Sequence, residues 1–597
     1  MSKLNNLWTK DVTSFFVRRF SSFTYLNITQ FLGALNDNIF KLLIVYYFIQ
    51  LDGIENSHTI LAATGALFVL PFLLFSASSG TLADRFSKRN IIVFTKLLEL
   101  VIMIGGVLAF IYESKFGSYC VLFLLATQSA IFGPSKYGII PEIVEENKIS
   151  KANGLLTSFT FLAIIIGTFS ASFLLDISDK NFLFGAIFCL ILSVIGAATS
   201  FCIEYTPPSG FHKRFNVLFL SEIYQTLKLA YTVPSLLATI FGSAFFLFLG
   251  AYLQLNMIPY AVNVLHLTDI QGGYLFLITA LGIGTGSLLA SKISGKTVEL
   301  GLVPLAAIGI TACCYFMDFF SGHFFVIIPL VMILGLLGGI YEVPLDSYVQ
   351  VASPNQYRGQ VVAATNFLSY FGVLLASGLL YFITEVMQYS ADKGFTVMGT
   401  ITLMVSIVVL FQFFDYLSRF VGMVLSKLHF KTTIYGAEFI PDVPAIYICT
   451  HTEWNDTLLM LGAQRRRMRF FVEEEQEHGR WFKKLYQMLR VVNIPEPLEN
   501  SEDCLTEIKM LLKNGISVCV FLSNPDICHE FEKLVSSHTI QEIIRKQEIP
   551  IIPVSIQKGT KIHEPKFFKR LMQRIHVPAE ISFSSSRSAL LHHLPFN

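Results

Sequence analysis

The sequence predicts a polytopic α-helical membrane protein followed by a smaller α/β domain, and three observations lead to that fold class. First, 53% of the 597 residues are hydrophobic and only 14% are charged, whereas a typical soluble domain has about 25% charged residues. Second, the chain contains twelve long apolar stretches. Third, half of its 44 Lys and Arg residues lie in the last 171 positions, from Lys427 onward. The net charge of +2 and the lack of a basic stripe interleaved with aromatic residues argue against a nucleic-acid partner.

Each apolar stretch has the roughly 20 residues that a helix needs to cross a bilayer. A longer polar connection follows the sixth stretch, so the spans divide into six plus six. The predicted regions are an N-terminal six-span half at 1–203, a central loop at 204–234, a C-terminal six-span half at 235–420 and an α/β domain at 430–597. The spans are predicted near residues 24–50, 59–79, 91–111, 118–138, 153–176, 181–203, 235–260, 271–291, 301–319, 323–343, 361–386 and 394–417.

The charges of the loops predict the orientation. The ends of the even-numbered spans and the loops after them, which form the even end of the bundle, contain twelve Lys and Arg residues, and loops at the odd end contain three. Because an excess of Lys and Arg marks cytoplasmic loops, we expect the even end, both chain termini and the α/β domain on the cytoplasmic side of the cell's inner membrane. The first span is long and lacks a cleavage site, so it is predicted to be a span rather than a removed signal.

The nine cysteines follow no repeated spacing, and most lie inside apolar runs. This pattern favours buried thiols over a disulfide framework or a metal site. We therefore expect neither a metal site nor a bound cofactor.

One loop carries a motif of a known transporter class. The segment GTLADRFSKRN joins spans two and three and contains Gly80, Asp84, Arg85, Lys88 and Arg89. Its spacing matches the loop signature of major facilitator transporters, and the resemblance implies their twelve-span fold with two six-helix halves. We predict a compact turn at Gly80 and an Asp84 that pairs with basic groups and latches the two halves together. The alternative is a solvated, charged loop without a mechanical role.

Three further strings resemble the lysophospholipid transporter family. They are TQFLGALNDNIFK at Thr29–Lys41, IFGPSKYGIIPEIVEENKISKANGL at Ile131–Leu155 and VPLDSYVQVASPNQYRGQVVAATNF at Val343–Phe367. The resemblance covers nearly all of residues 20–420. It implies a carrier that moves lysophospholipid, chiefly lysophosphatidylethanolamine, from the outer to the inner leaflet of the bilayer.

Polar residues inside these spans are candidates for transport. Asp37 is costly in hydrocarbon, so we expect it to face a cavity, with Asn36 and Asn38 beside it. The alternative is a structural hydrogen-bonding cluster of the three. Lys136 follows a Gly-Pro break at a helix end and is predicted to meet the lipid phosphate, or else to extend towards the membrane interface.

Two further predictions concern charged residues in the spans. Lys96 and Glu99 lie one helical turn apart and are predicted to form a structural pair. Glu342, in a Gly-Gly-x-x-Glu-x-Pro context, is predicted to take part in opening and closing.

The tail alternates short apolar strands with helical segments at 456–463, 479–490, 502–514 and 528–547, a pattern that predicts an α/β domain. His451 lies where a strand, AIYICT, passes into a helix, and Asp456 lies in the first turns of that helix. A carboxylate in that place can orient an imidazole, whose other nitrogen is then free to take a proton from a hydroxyl.

Over about 430–560 the tail resembles glycerolipid acyltransferases, most closely the 2-acylglycerophosphoethanolamine acyltransferase branch. The resemblance lies in THTEWNDTLL, GRWFKKLYQMLRVVNIPEP, LLKNGISVCVFLSNPD and IPIIPVSIQKG. It implies that His451 is the general base, that Asp456 orients it, and that an acyl carrier protein or coenzyme A thioester is the co-substrate. Arg480 and Lys483 are predicted to contact phosphate or donor, or alternatively to lie on anionic membrane.

The tail departs from that family at Thr450 and Glu453, where the family usually has Asn and Ser, and more seriously in one further block. The family's Phe-Pro-Glu-Gly appears here as Phe521-Leu522-Ser523-Asn524, which leaves Asn524 as the candidate for contacting the acyl acceptor. Three interpretations therefore stay open. The chain is a lysophospholipid carrier with an active O-acyltransferase, the same carrier with an inactive lipid-binding or docking tail, or a carrier for an unrelated solute. The Arg465-Arg466-Arg467 run is assigned to binding the membrane surface.

Overall fold

The computed structural model describes residues 21–53, 57–210, 219–441, 443–449, 454–464, 466–473, 492–494, 502–513, 515–521, 549–558 and 577–583. The chain divides into two compact units, Met1–Gln412 and Phe413–Asn597. We call them the membrane unit and the tail unit and describe each by itself.

The membrane unit contains, among the residues described, twelve helices that are long and apolar enough to cross a membrane. This confirms the prediction of twelve spans. Six form the first half: α1 Ser22–Asp52, α2 Ser57–Arg85, α3 Lys88–Ile111, α4 Lys115–Gly138, α5 Ile149–Ile177 and α6 Phe182–Phe201. After a helix in the central loop, α7 Phe219–Tyr231, six more form the second half: α8 Leu236–Pro259, α9 Asp269–Ser294, α10 Leu302–Phe319, α11 Phe324–Ala352, α12 Arg358–Tyr381 and α13 Ala391–Gln412.

Polar caps mark the points where several of these apolar helices begin. The side chains of Ser21, Ser87, Ser114 and Asn181 accept hydrogen bonds from backbone N–H groups in the first turns of α1, α3, α4 and α6. Thr268 forms a reciprocal capping box with Gln271 at the start of α9. These contacts satisfy donors that a helix cannot pair internally, so the helix starts are specified locally by the sequence.

The first half of the membrane unit has a continuous apolar core. It includes Ile39, Phe40 and Leu43 of α1, packed against Leu122 and Leu125 of α4. Because lipid is as apolar as these side chains, close packing rather than water exclusion holds such helices together.

The central loop contains a helix that the sequence analysis did not predict. In α7, Ile223 packs in one buried cluster with Ala77 of α2 and Ala364 of α12. The Thr81 hydroxyl donates a 3.4 Å hydrogen bond to the Glu222 carboxylate. The helix α7 therefore contacts one spanning helix from each half.

The tail unit begins with helix α14 at Phe414–His429 and contains a seven-stranded sheet. The strands are β1 Phe430–Tyr435, β2 Ile446–Cys449, β3 Met468–Glu473, β4 Val492–Ile494, β5 Ser517–Phe521, β6 Ile551–Lys558 and β7 Val577–Phe583. Their order is β1-β7-β6-β2-β5-β3-β4, and every pair is parallel except β6 with β7. The predicted α/β class is confirmed.

Two of the four predicted tail helices fall in the described residues. They are α15 at Trp454–Ala463 and α16 at Glu502–Lys513, and the segments 479–490 and 528–547 lie outside. The central strand β5 is buried along its whole length, as expected for a parallel strand covered on both faces. Cys449 and Cys519 are buried free thiols on neighbouring strands, with their sulfurs 3.6 Å apart.

Candidate functional site

A cavity of about 370 Å³ lies between the two halves of the membrane unit, with walls from both. Much of its lining is aromatic and includes Phe68, Phe72 and Tyr370. The charged side chains of its lining are Asp37, Lys96, Lys136, Glu342 and Asp346. Acidic and basic groups therefore face one apolar-walled space, an arrangement suited to an amphiphile that carries both charges.

Asp37 of α1 faces this cavity, as the sequence analysis expected. The Ser129 hydroxyl donates a 2.8 Å hydrogen bond to Asp37 Oδ2. The other carboxylate oxygen, Oδ1, is buried and accepts no hydrogen bond from the described residues. A ligand donor in the cavity would satisfy that acceptor.

The two asparagines beside Asp37 lie elsewhere, so the three residues do not form one cluster. Asn36 is buried inside the first half, where its amide donates to Glu99 Oε1 at 3.0 Å and to Ser193 Oγ at 3.3 Å. Asn38 donates to the Ala34 carbonyl in its own helix, at 2.7 Å. Successive residues of a helix point about 100° apart, and of the three only Asp37 reaches the cavity.

The predicted pair of Lys96 and Glu99 is confirmed as a buried ion pair, with Lys96 Nζ 2.6 Å from Glu99 Oε2. Sequence reasoning missed that Lys96 also lines the cavity. The Lys96 and Lys136 ammonium groups lie 5.1 and 5.9 Å from the centroid of the same Phe132 ring. Two cations are thus held near one aromatic side chain.

The expectation of a helix break before Lys136 is wrong. Gly133 and Pro134 lie inside α4, which continues to Gly138. A proline removes one backbone donor, a loss that membrane helices tolerate through local adjustment and neighbouring partners. Lys136 therefore belongs to the last turn of an intact helix, where its ammonium lies 4.5 Å from the centre of the Tyr137 ring and lines the cavity.

Glu342 lines the cavity together with Asp346, one turn further along α11. The Ser243 hydroxyl of α8 lies 2.8 Å from Glu342 Oε1 and 3.3 Å from Asp346 Oδ1. The sequence analysis did not single out Asp346, although the spacing of four residues between two intramembrane carboxylates is a readable signal.

The predicted latch at Asp84 has a different partner from the one expected. Asp84 is buried, and its carboxylate accepts hydrogen bonds from the backbone N–H groups of Gly359 at 2.6 Å and Gln360 at 2.9 Å. These groups belong to the first turn of α12, where unpaired N–H groups and the helix dipole favour an anion. The second half thus contributes a helix terminus as the direct partner of Asp84. The prediction that this partner is a basic side chain is wrong.

Gly80 lies inside α2, so the predicted turn at this residue is wrong. A Cβ atom built there would lie 2.5 Å from Ala363 Cβ and 2.8 Å from the Gly359 carbonyl oxygen of α12. Glycine is required here because the two helices cross in close contact.

The basic residues of the same loop bind within the first half. Lys88 is buried and lies 2.5 Å from Glu142 Oε1. Arg89 donates to the carbonyl of Phe201, the last residue of α6, at 3.0 Å, and to the carbonyl of Ile203, just after that helix, at 3.1 Å. The Arg85 guanidinium lies 5.6 Å from the ring centre of Phe86. Their role in gating stays a prediction.

Other polar contacts also join the halves towards the even end. Asn153 of α5 and Gln350 of α11 exchange two hydrogen bonds, at 3.0 and 2.8 Å. The Ser158 hydroxyl donates to the Gly284 carbonyl of α9 at 2.7 Å. Together with the contacts of Asp84, these hydrogen bonds join the two halves at and near the even end of the bundle.

In the tail unit, Asp456 is buried in the first turn of α15, which follows β2. The last residue of β2, Cys449, pairs with the last residue of β5, Phe521, so both strands end at the same edge of the sheet. Sites of α/β folds form at this carboxyl edge. His451, Arg480, Lys483 and Asn524 lie outside the described residues, and their predicted roles stay predictions.

The Cys519 thiol near this edge is a poor candidate for a nucleophile. Burial is the main reason that the pKa of Cys519 lies well above its ordinary value, and the Cys449 thiol and Asp456 carboxylate raise it further. A thiol must lose its proton to attack.

Comparisons with known proteins identify both parts of the chain. The family model described as Major Facilitator Superfamily matches residues 26–377, and the one described as Acyltransferase matches residues 431–557. The lysophospholipid transporter LplT of Photorhabdus laumondii is 25% identical over 324 residues, covering 54% of this chain and 78% of that protein. LplT of Klebsiella pneumoniae is 26% identical over 364 residues, covering 59% and 85%.

Solved structures show the same fold for the membrane unit. The E. coli fucose:proton symporter FucP aligns with a TM-score of 0.54 and 13% identity, over 65% of this chain and 98% of its own. The human organic anion transporter MFSD10 aligns with a TM-score of 0.54 and 15% identity, over 66% and 99%.

Proposed function

We propose that this chain, which belongs to the Major Facilitator Superfamily and carries an acyltransferase domain, moves lysophospholipid between bilayer leaflets and reacylates it. Lysophosphatidylethanolamine is the proposed substrate. The observation that carries the transport part is the cavity, whose lining brings Lys136 and Lys96 together with Asp37, Glu342 and Asp346 among aromatic side chains.

The cavity suits a zwitterionic headgroup on a single acyl chain. The lysine ammonium groups would bind the lipid phosphate, and the carboxylates would bind the ethanolamine ammonium, with Asp37 Oδ1 as an available acceptor. The aromatic and aliphatic wall would receive the acyl chain. The naming of LplT relatives as lysophospholipid transporters supports this choice over an unrelated solute.

Movement across the bilayer would follow from exchange between two conformations, one closed at the even end and one closed at the odd end. The contacts of Asp84, Asn153 and Ser158 close the even end. Release of the lipid there requires these contacts to break while contacts form at the odd end. We place the even end, both termini and the acyltransferase domain in the cytoplasm, and the protein in the inner membrane, because the even-end loops carry the excess of Lys and Arg.

The proposed reaction joins the delivered lysolipid to an activated acyl group. His451 takes the proton of the free glycerol hydroxyl, whose oxygen attacks the thioester carbonyl, and the thiolate of the carrier leaves and regains a proton. Asp456 holds the imidazole and stabilises its charged form. The products are a diacyl phospholipid and the free thiol of acyl carrier protein or coenzyme A.

A second candidate keeps the transport function but gives the tail a lipid-binding or docking role. The sequence Leu522-Ser523-Asn524, in place of Pro-Glu-Gly directly after β5, favours it. Because Phe521 ends β5 at the carboxyl edge, the altered block begins beside the predicted site, where a lost Glu would weaken acceptor binding.

One experiment separates the two candidates. Purified protein receives lysophosphatidylethanolamine and a labelled acyl thioester, and labelled diacyl lipid is measured. The first candidate predicts product that His451→Ala abolishes, and an increase when Leu522→Pro, Ser523→Glu and Asn524→Gly are combined. Absence of product from both wild type and the combined variant, with either thioester, would establish the docking role.

A further inference from the structure

We propose that the tail unit binds the phosphate of a bilayer phospholipid at the mouth of an arginine-lined groove, separate from the acyl-transfer site. The groove lies between the start of α14 and the start of β3. Its polar lining consists of Asp415, Ser418, Arg419, Arg467 and Arg469. Three guanidinium groups thus converge on one groove.

The arginines are held in place before any ligand arrives. The Arg467 guanidinium lies 4.9 Å from the centre of the Tyr416 ring, and Arg469 Nη2 lies 3.5 Å from Asp415 Oδ2. Arg419 is buried against the domain. The backbone carbonyl of Arg467 accepts a 3.0 Å hydrogen bond from the Ser517 N–H, which fixes the start of β3 to β5. Preorganised groups lose little conformational freedom on binding.

The groove is distinct from the predicted catalytic edge. Met468 and Ser517, the first residues of β3 and β5, are paired in parallel register. Phe521, at the other end of β5, pairs with Cys449 before the His451 segment. The four steps along β5 place the two edges about 13 Å apart. A ligand in the groove therefore leaves the acyl-transfer site open.

Phosphate is the ligand that this lining recognises best. Guanidinium groups bind phosphate oxygens through paired, parallel hydrogen bonds. The described lining contains three arginines and one aspartate, so it favours an anion. The groove has a volume of only about 10 Å³, room for about one water molecule. The phosphate accordingly lies at the mouth, where the partly exposed Arg467 reaches it, and a nucleotide does not fit inside.

The lipid bilayer is the source of phosphate that the chain itself brings near. Helix α14 begins at Phe414, two residues after the last spanning helix ends at Gln412, so its start is tethered at the membrane surface. Further along α14, Val424, Leu425 and Leu428 are exposed. A helix with exposed apolar side chains beside phosphate-binding groups suits the boundary between headgroups and acyl chains.

The test measures binding of phosphatidylglycerol to the full-length protein in detergent by native mass spectrometry. We expect Arg467→Gln, and Arg419→Gln with Arg467→Gln, to weaken the tightest lipid-binding step about tenfold or more, because hydrogen bonds to charged groups are strong. Lys427→Gln removes the same charge from the exposed side of α14 and should leave binding unchanged. Arg467→Lys keeps the charge without the planar fork and should recover part of the affinity.

Three outcomes would overturn the proposal. Equal binding by wild type and Arg467→Gln would remove the groove from lipid binding. Equal losses in Arg467→Gln and Lys427→Gln would mean that overall charge alone attracts the lipid. Displacement of the lipid by millimolar inorganic phosphate would assign the groove to a soluble anion. Should Arg419→Gln prevent folding, the Arg467→Gln variant alone tests the proposal. Retained lysolipid transport by that variant reports an intact membrane unit, and a retained melting temperature reports an intact tail.

Discussion

At the scale of single residues, the charge of Asp37 is the feature of the cavity with the clearest consequence for transport. Asp37→Asn keeps the shape and the contact with Ser129 but removes the negative charge. We expect lysolipid transport to fall about tenfold or more, since charge-assisted contacts contribute about 1.5–3 kcal/mol. The measurement follows a fluorescent lysolipid in proteoliposomes by extraction with albumin.

Asp52→Asn is the matched control, because Asp52 pairs with Lys115 at a partly exposed site outside the cavity. It should transport at the wild-type rate. Wild-type transport by Asp37→Asn would exclude its carboxylate from the mechanism.

A second residue-scale prediction concerns Asp456 in the tail unit. Its buried carboxylate at the start of α15 would stabilise the imidazolium that forms when His451 takes a proton. We expect Asp456→Asn to lower acyl transfer about a hundredfold, the lower end of a placed base's usual contribution, and to leave lysolipid transport unchanged. Initial rates of labelled diacyl lipid formation measure the first effect, and albumin extraction the second. An unchanged rate of acyl transfer would remove Asp456 from the site.

At the scale of elements, we expect the crossing of α2 and α12 to control closure of the even end. A methyl group at Gly80 would collide with Ala363 and with the Gly359 carbonyl, so Gly80→Ala should disfavour the closed even end and slow transport. Labelling of a cysteine introduced at Ser291, which is buried near the even end of α9, should then increase. Gly250→Ala is the control, because a Cβ there meets no atom within 4 Å. Equal labelling in Gly80→Ala and wild type would contradict this account of the crossing.

The same crossing depends on the carboxylate of Asp84. Asp84→Asn replaces one of the two acceptor oxygens at the start of α12 with an NH2 group, which cannot accept a hydrogen bond. It also removes an anion from a helix N-terminus. We expect slower transport with nearly unchanged equilibrium binding of lysolipid. A large loss of binding with normal exchange between the two ends would instead place Asp84 in the substrate site.

The elements also show what the sequence can and cannot predict. The twelve spans were predictable because bilayer thickness fixes the length of an apolar helix. The passage from strand β2 to helix α15 was predictable because strands and helices have different hydrophobic patterns. The directions in which Asn36 and Asn38 point could not be predicted, since both faces of α1 are apolar. Gly80 was mistaken for a turn residue because a glycine required by a neighbouring helix looks the same in sequence. Helix α7 is amphipathic at the helical period, so its sequence does carry a helical signal, which the interpretation of 204–234 as a polar loop left out.

At the scale of the whole molecule, the proposed function joins transport, in one chain, to a reaction that consumes the transported lipid. Reacylation would remove lysolipid from the receiving leaflet and so favour continued movement in one direction. The cavity and the His451–Asp456 site belong to different units, so each activity should survive the loss of the other. His451→Ala should therefore keep transport, and Asp37→Asn should keep acyl transfer to lysolipid supplied directly on the side of the tail.

The most direct test of this joint function encloses a labelled acyl thioester inside proteoliposomes and adds lysophosphatidylethanolamine outside. Molecules whose tail faces the lumen can then form labelled diacyl lipid only after moving the lysolipid inward. We predict labelled product with the wild-type chain and no labelled product with either Asp37→Asn or His451→Ala. Of these two variants, only His451→Ala should still move lysolipid. Equal amounts of labelled product from wild type and Asp37→Asn would contradict the account, because the lysolipid would then have reached the tail without the cavity.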